Sequence, residues 1–285
     1  MMSVQTATQL LVTEEQITKF NEAGYLVVEN AIPQALVTQL LAAIDRVKEQ
    51  LAHSEQRKDI FGLDIRPIID KDDTFLELLE WPTTFPLAVR FLNHFNIQLM
   101  TSHLIMVPPN PEQRNIGWHD DGGTPVIGVN GIRAFGSLKI GYFLTDLLAP
   151  NMGALMVVPG SHRLQGRPVF AEGARDPVGA VELKVKAGDA VIFQQGLYHA
   201  GAPNYSEQTR VVLYYGYNFR VSRPIDYDTM PQELLEKCSP IGKQLLGERA
   251  THLGYYIPTD ADCPLKAWFA EHFGETWSKG RGFYQ

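Results

Sequence analysis

Three side chains in this sequence have the types and spacing of a metal site. His119 and Asp121 stand two positions apart in Trp118-His119-Asp120-Asp121-Gly122-Gly123, and Tyr198-His199-Ala200-Gly201 supplies a second imidazole far downstream. On an extended segment residues i and i+2 project to one side, so one imidazole and one carboxylate can reach the same ion. Two histidines and one carboxylate on one face of an ion form the facial triad of non-haem Fe(II) oxygenases. Such a triad leaves adjacent coordination positions for a bidentate 2-oxo acid and for dioxygen. Eleven residues after His199, Arg210 opens the β-rich run Val211-Val212-Leu213-Tyr214-Tyr215. A guanidinium inside a barrel could make a forked salt bridge with the distal carboxylate of 2-oxoglutarate.

The pattern gains weight from what is missing. The sequence has no GxGxxG after a strand, no Walker A loop, no HExxH and no GxSxG, so dinucleotide enzymes, P-loop enzymes, zincins and α/β-hydrolases fall back. A His-x-Asp triplet is cheap by itself, and His103 with Arg114 repeats the spacing of eleven. Order and strand context make the difference. Two other readings use the same ligands: a Zn(II) or Mn(II) hydrolase or isomerase working without O2, and a non-catalytic barrel that binds a ligand or metal.

The elements that must position these residues change along the chain. Thr13-Glu14-Glu15-Gln16 is a capping box for a helix ending near Gly24, and Tyr25 to Glu29 is a short β-rich run. Pro33 opens a longer helix with Leu36, Leu40, Leu41, Ile44, Val47 and Leu51 on one face. Short helices follow after Asp72-Asp73 and over 86–95. From about residue 97 the texture is strands bounded by turns: 97–107, 138–144, 154–158, 181–185, 190–193 and 211–219. The tail is partly helical, over 232–237 and 265–273. This order predicts a mainly β protein with helices, a single domain over 1–285. Its helical N-terminal part covers about 13–96, its barrel about 97–222, and a tail follows.

The 285 residues carry 25 Lys and Arg against 32 Asp and Glu, a net charge of −7, with 45% hydrophobic residues. That is enough apolar material for a full core and excludes a disordered chain. No block of basic residues suits a nucleic acid or a membrane surface. Cys238 and Cys263 make no disulfide framework, and no apolar run reaches membrane-spanning length. The expectation is a soluble cytoplasmic protein with a small-molecule substrate and free thiols.

Several stretches together resemble the phytanoyl-CoA dioxygenase family. They are Trp118-His119-x-Asp121, Gly141-Tyr142-Phe143-Leu144-Thr145-Asp146, the run from Asn151 through Pro159-Gly160-Ser161-His162, and Gly188-Asp189-Ala190-Val191-Ile192-Phe193 leading to His199 and Arg210. The likeness spans roughly residues 14–220. It implies a double-stranded β-helix (a jelly-roll of the cupin kind) braced by N-terminal helices, using Fe(II), 2-oxoglutarate and O2. By position, His119, Asp121 and His199 would be the catalytic iron ligands, and Arg210 would hold the co-substrate's outer carboxylate. Tyr142 falls where the family can carry an aromatic facing 2-oxoglutarate, and His103 at another co-substrate position. Gly201 replaces a hydroxyl residue that some members have. Related halogenases lack the carboxylate, so Asp121 favours hydroxylation or another oxygenation.

The remaining polar residues of these motifs read as structural. His162 is expected to cap the turn after Pro159-Gly160, Asp189 to shape the turn into its strand, and Trp118 to pack beside the iron strand. Substrate-lining candidates are 122–135 with Arg133, 163–175, and 60–73 with Arg66. Without basic residues suited to coenzyme A phosphates, a small metabolite or natural-product intermediate is expected over an acyl-CoA. The expected products beside the oxidised substrate are succinate and CO2.

Overall fold

The computed structural model describes residues 11–51, 58–59, 62–113, 117–121 and 136–274. Arg114, the stretch 122–135 with Arg133, and positions 60–61 lie outside them. Helix α1 (Glu14–Ala23) starts on the expected capping box. The Thr13 hydroxyl accepts from Gln16 N at 3.2 Å, and Gln16 Oε1 accepts from Thr13 N at 2.8 Å. Gly24 ends it at φ 82°, a left-handed position glycine adopts without strain. Helix α2 (Gln34–Leu51) buries Leu36, Val37, Leu40, Ala43, Ile44 and Val47, one face of a 3.6-residue repeat.

Two antiparallel sheets carry the site. The larger contains β1 (Tyr25–Val28), β2 (Lys58–Asp59), β3 (Gly62–Ile65), β4 (Ile97–Val107), β5 (Ser137–Phe143), β8 (Ala190–Gln194) and β10 (Arg210–Phe219), in the order β1-β8-β5-β10-β4-β3-β2. The smaller contains β6 (Leu155–Val157), β7 (Val181–Glu182) and β9 (His199–Gly201), in the order β7-β6-β9. The N-terminal part therefore does more than brace the barrel. It gives the large sheet an edge strand at β1, paired to β8, and a second contribution at β3, paired to β4. β3 was not expected, because Gly62-Leu63-Asp64-Ile65 is too short to show a period.

Side-chain alternation splits the large sheet into two faces. On one, Leu138, Ile140, Tyr142, Ala190, Ile192, Leu213, Tyr215 and Tyr217 pack with α2 and α3 (Phe85–Leu92) in one hydrophobic cluster. On the other, Phe143, Val191, Phe193, Val212 and Tyr214 meet Leu155, Val157, Leu183 and Val185. This second cluster lies between the sheets and forms the wall of the candidate site. Among the described residues no helix is long and apolar enough to cross a membrane.

The split corrects one expectation. Tyr142 does not face the barrel interior. It is fully buried on the helical side, its hydroxyl 2.6 Å from Thr84 Oγ1. A one-residue step along β5 puts it on the face opposite to Gly141 and Phe143. It belongs to a row of tyrosines that serve the helical layer. The Tyr215 and Tyr217 hydroxyls donate to Phe75 O at 2.6 Å and Leu79 O at 2.7 Å. Phe75 lies in the 3-10 helix Asp73–Leu78, and Leu79 closes it; carbonyls near a helix end need such outside donors. Replacing Tyr142 by Phe leaves the buried Thr84 hydroxyl only its long 3.4 Å bond to Trp81 O. It is expected to cost about 1–2 kcal/mol in a urea melt and to leave divalent-metal affinity unchanged. A large loss of metal binding in Tyr142→Phe with an unaltered melt would restore the interior role.

Candidate metal centre

His119 and His199 are brought together by their own backbones. His119 N donates to His199 O at 2.9 Å and His199 N to His119 O at 2.8 Å, an antiparallel bridge at the edge of the small sheet. Asp121 N extends the pairing to Gln195 O at 2.9 Å. The rings of the two histidines lie 4.4 Å apart, centroid to centroid. Asp121 Oδ1 is 4.0 Å from His119 Nε2, and Asp121 Oδ2 is 3.8 Å from His199 Nε2. One ligand atom from each of the three lies within 4.8 Å of the others.

The donor chemistry fits a divalent ion. His199 Nδ1 is 2.8 Å from Leu197 O, and His119 Nδ1 is 2.7 Å from Gly117 O. A carbonyl only accepts, so each Nδ1 carries the hydrogen and each Nε2 keeps its lone pair. Burial pushes His199 down to about 4, which keeps it neutral at physiological pH. For Asp121, burial alone would raise the carboxyl. The Lys139 ammonium, with its Nζ 2.9 Å from Oδ1, outweighs burial together with the His199 ring and holds the group down to about 2. Asp121 Oδ2 is buried with no hydrogen-bond partner. Such an atom is costly unless something occupies it.

Arg210 begins β10 and is 5% exposed. Its Nη2 donates to the Tyr214 hydroxyl at 2.7 Å, its Nε is buried without a partner, and it forms no salt bridge among the described residues. An uncompensated buried guanidinium is expensive, so this one is suited to an anion brought from outside. Glycines clear its surroundings: a Cβ at Gly153 would come within 3.2 Å of Arg210 Cδ, and one at Gly201 within 3.9 Å of Nη1.

Two residues missed in the sequence complete this wall. Tyr214 stands four positions after Arg210 on the same face, and its ring lies 6.1 Å from Phe193. A Cβ at Gly141 would come 2.6 Å from the Tyr214 ring, so glycine is required there. Lys139 is the other. The period of two along β10 and β5 could have found both. His103 shares this face and pairs in register with Tyr214, but its Nε2 lies 2.6 Å from Asp64 Oδ1. Its ring is thus engaged by β3. The other motif residues hold the fold, His162 by tying its segment to α1 rather than by capping the Pro159-Gly160 turn. His162 Nε2 is 3.0 Å from Asn21 O in α1, and Asp189 accepts from Lys186 N and Asn30 N. Trp118 stacks on Tyr198 and donates to Asp176 Oδ1 at 3.1 Å.

A model of the family described as phytanoyl-CoA dioxygenase (PhyH) matches residues 20–212. Among named relatives, dioxygenase af480 of Aspergillus fumigatus is 26% identical over 234 residues, 76% of this chain and 72% of that one. Among solved structures, the non-haem α-ketoglutarate-dependent carbocyclase SnoK from nogalamycin biosynthesis has a TM-score of 0.59 at 19% identity. The match covers 77% of this chain and 94% of SnoK. HygX of Streptomyces hygroscopicus, solved with nickel and 2-oxoglutarate, has a TM-score of 0.60 at 16% identity, covering 78% and 93%. At these identities the structural likeness concerns the fold.

Two buried imidazoles set an acid limit. Burial holds both His103 and His199 down to about 4, whereas an unfolded chain protonates them near 6.5. The folded state therefore binds fewer protons, so stability is complete above about pH 6.5 and is lost as the pH falls toward 4. For metal-free protein the unfolding free energy from a urea melt is expected to be lower at pH 5 than at pH 7.5, by about 1–2 kcal/mol per imidazole, with a correspondingly lower midpoint. His103→Gln should remove part of that difference. Equal midpoints at the two pH values would contradict the burial of neutral rings.

Proposed function

The chain belongs to the phytanoyl-CoA dioxygenase family, and we propose that it oxidises an unactivated C–H bond of a small metabolite or natural-product intermediate. The family match over residues 20–212 makes it an Fe(II)- and 2-oxoglutarate-dependent dioxygenase. In the proposed reaction, substrate R–H, O2 and 2-oxoglutarate give R–OH, succinate and CO2. His119, Asp121 and His199 are assigned to the iron and Arg210 to the outer carboxylate of 2-oxoglutarate. The whole chain is assigned to one domain, supported by a single hydrophobic cluster that runs from Phe20 to Phe269. The observation that carries the site assignment is the convergence of three ligand atoms within 4.8 Å, one a buried carboxylate oxygen without a partner.

When bound, the iron supplies the activation of dioxygen that drives 2-oxoglutarate decarboxylation and substrate oxidation. The protein supplies position. The backbone bridge fixes both imidazoles, and each Nδ1–H is anchored on a carbonyl two residues earlier. Arg210, braced by the Tyr214 hydroxyl, would receive the far end of the co-substrate. Phe143, Val212 and Phe193 line this side with apolar surface and keep it dry.

The substrate class rests on two observations. No run of basic residues offers a cradle for the phosphates of coenzyme A. One structural neighbour, SnoK, is an α-ketoglutarate-dependent carbocyclase from nogalamycin biosynthesis, which supports a natural-product intermediate. Turnover of phytanoyl-CoA or another acyl-CoA with a micromolar KM would overturn this assignment.

Mixing metal-free protein anaerobically with Fe(II) and 2-oxoglutarate is expected to give the weak visible charge-transfer band of a chelated 2-oxo acid. The band should require both components and vanish in Asp121→Ala. Arg210→Met should raise the 2-oxoglutarate concentration for half-saturation by roughly 10- to 100-fold, as loss of a charged hydrogen-bonding partner does. Folded, iron-loaded protein that gives no band would defeat the assignment.

A further inference from the structure

Lys139 is a charged side chain in the barrel interior with no part in the function described above. It lies on the inner face of β5, between Ser137 and Gly141, with its side chain 15% exposed and its Nζ 2.9 Å from Asp121 Oδ1. In register across β10 stands Gly216, where a Cβ would come 2.7 Å from Thr101 Cγ2 and 3.4 Å from Lys139 Cγ. The glycine leaves room for the lysine stem to run along the sheet. An ammonium placed this deep needs a counter-charge, and among the described residues the one it has is the carboxylate assigned to the metal. Lys139 occupies Oδ1 and leaves Oδ2, buried and without a hydrogen bond, for an ion.

That arrangement has an electrostatic consequence. An ion on Oδ2 shares a single carboxylate with the ammonium. With neutral imidazoles, a divalent cation, Lys139 and Arg210 face one negative charge from Asp121. Like charges gathered around one carboxylate repel. A dianionic 2-oxo acid removes most of the excess.

We propose that Lys139 is a positioning residue that presents Asp121 through Oδ2 and sets the charge balance of the site, disfavouring the bare ion and favouring the dianionic 2-oxo acid once the ion is bound. The proposal rests on the metal and co-substrate assignment above. Its test uses the full chain and two equilibrium titrations that need no turnover. Co(II) affinity is measured by competition with a chromophoric chelator, and 2-oxoglutarate affinity by calorimetry on the Co(II)-loaded protein. Lys139→Met and Lys139→Gln are each expected to tighten Co(II) alone about tenfold and to weaken 2-oxoglutarate about tenfold. Lys139→Arg, which keeps the charge, should restore both values. A structural salt bridge alone predicts no such opposite shifts. If Co(II) binding depends on Asp121 and any other pattern appears in both neutral variants, this role of Lys139 is overturned and the metal assignment stands. Co(II) binding that is indifferent to Asp121→Ala overturns the metal assignment, and the role of Lys139 with it.

Discussion

Two backbone hydrogen bonds between His119 and His199 hold the candidate site together. They join residues eighty positions apart and convert a short extended segment into an edge of the small sheet. Once that pair is formed, the alternation of side chains leaves little freedom. Asp121, two residues on, must project to the same side as His119, and its own N–H is taken by Gln195 O. A slip of one residue would swing the carboxylate away from both rings. The carbonyls of Gly117 and Leu197 then fix the tautomers, so the nitrogens left free are the ones that face each other across the site.

The large sheet answers two demands with its two faces. Its outer face is apolar and takes the helices, with Tyr142, Tyr215 and Tyr217 reaching across to oxygens of the helical layer. Its inner face carries the polar groups that burial makes expensive: Lys139, Arg210, Tyr214 and His103. The two faces differ only by the parity of residue number along β5 and β10. His103 Nε2 lies 2.6 Å from the Asp64 carboxylate, and Lys139 Nζ lies 2.9 Å from that of Asp121. Arg210 has a neutral hydroxyl as its partner and a buried Nε without one. That imbalance marks the end of the site where an anion is wanted.

Much of this was legible in the sequence, for reasons that can be stated. The triad was readable because i and i+2 on an extended segment is a geometric rule, and the capping box at Thr13 because it is a local reciprocal hydrogen bond. The strand over Ile97–Val107 and the helix over Leu265–Phe273 end where turn residues and periodicity place them. What failed was long-range. Gly62–Ile65 has no alternation of its own and becomes a strand only because β4 offers an edge. The resemblance puts Tyr142 at a co-substrate wall, whereas alternation along β5 sets it opposite to Gly141 and Phe143. Lys139 and Tyr214 do not stand out in the sequence, because a lysine in a strand and a tyrosine in a β-rich run are ordinary in isolation. Their meaning appears only once Asp121 and Arg210 are seen beside them.

The central claim is that His119, Asp121 and His199 bind one divalent ion through two imidazoles and a carboxylate. Electron spin-echo envelope modulation on protein loaded with one equivalent of Cu(II) counts the coordinated imidazoles directly. Two are expected in the wild-type protein, and one in each of His119→Gln and His199→Gln. A count of zero in the wild type, or a count of two that persists in both variants, would contradict the account.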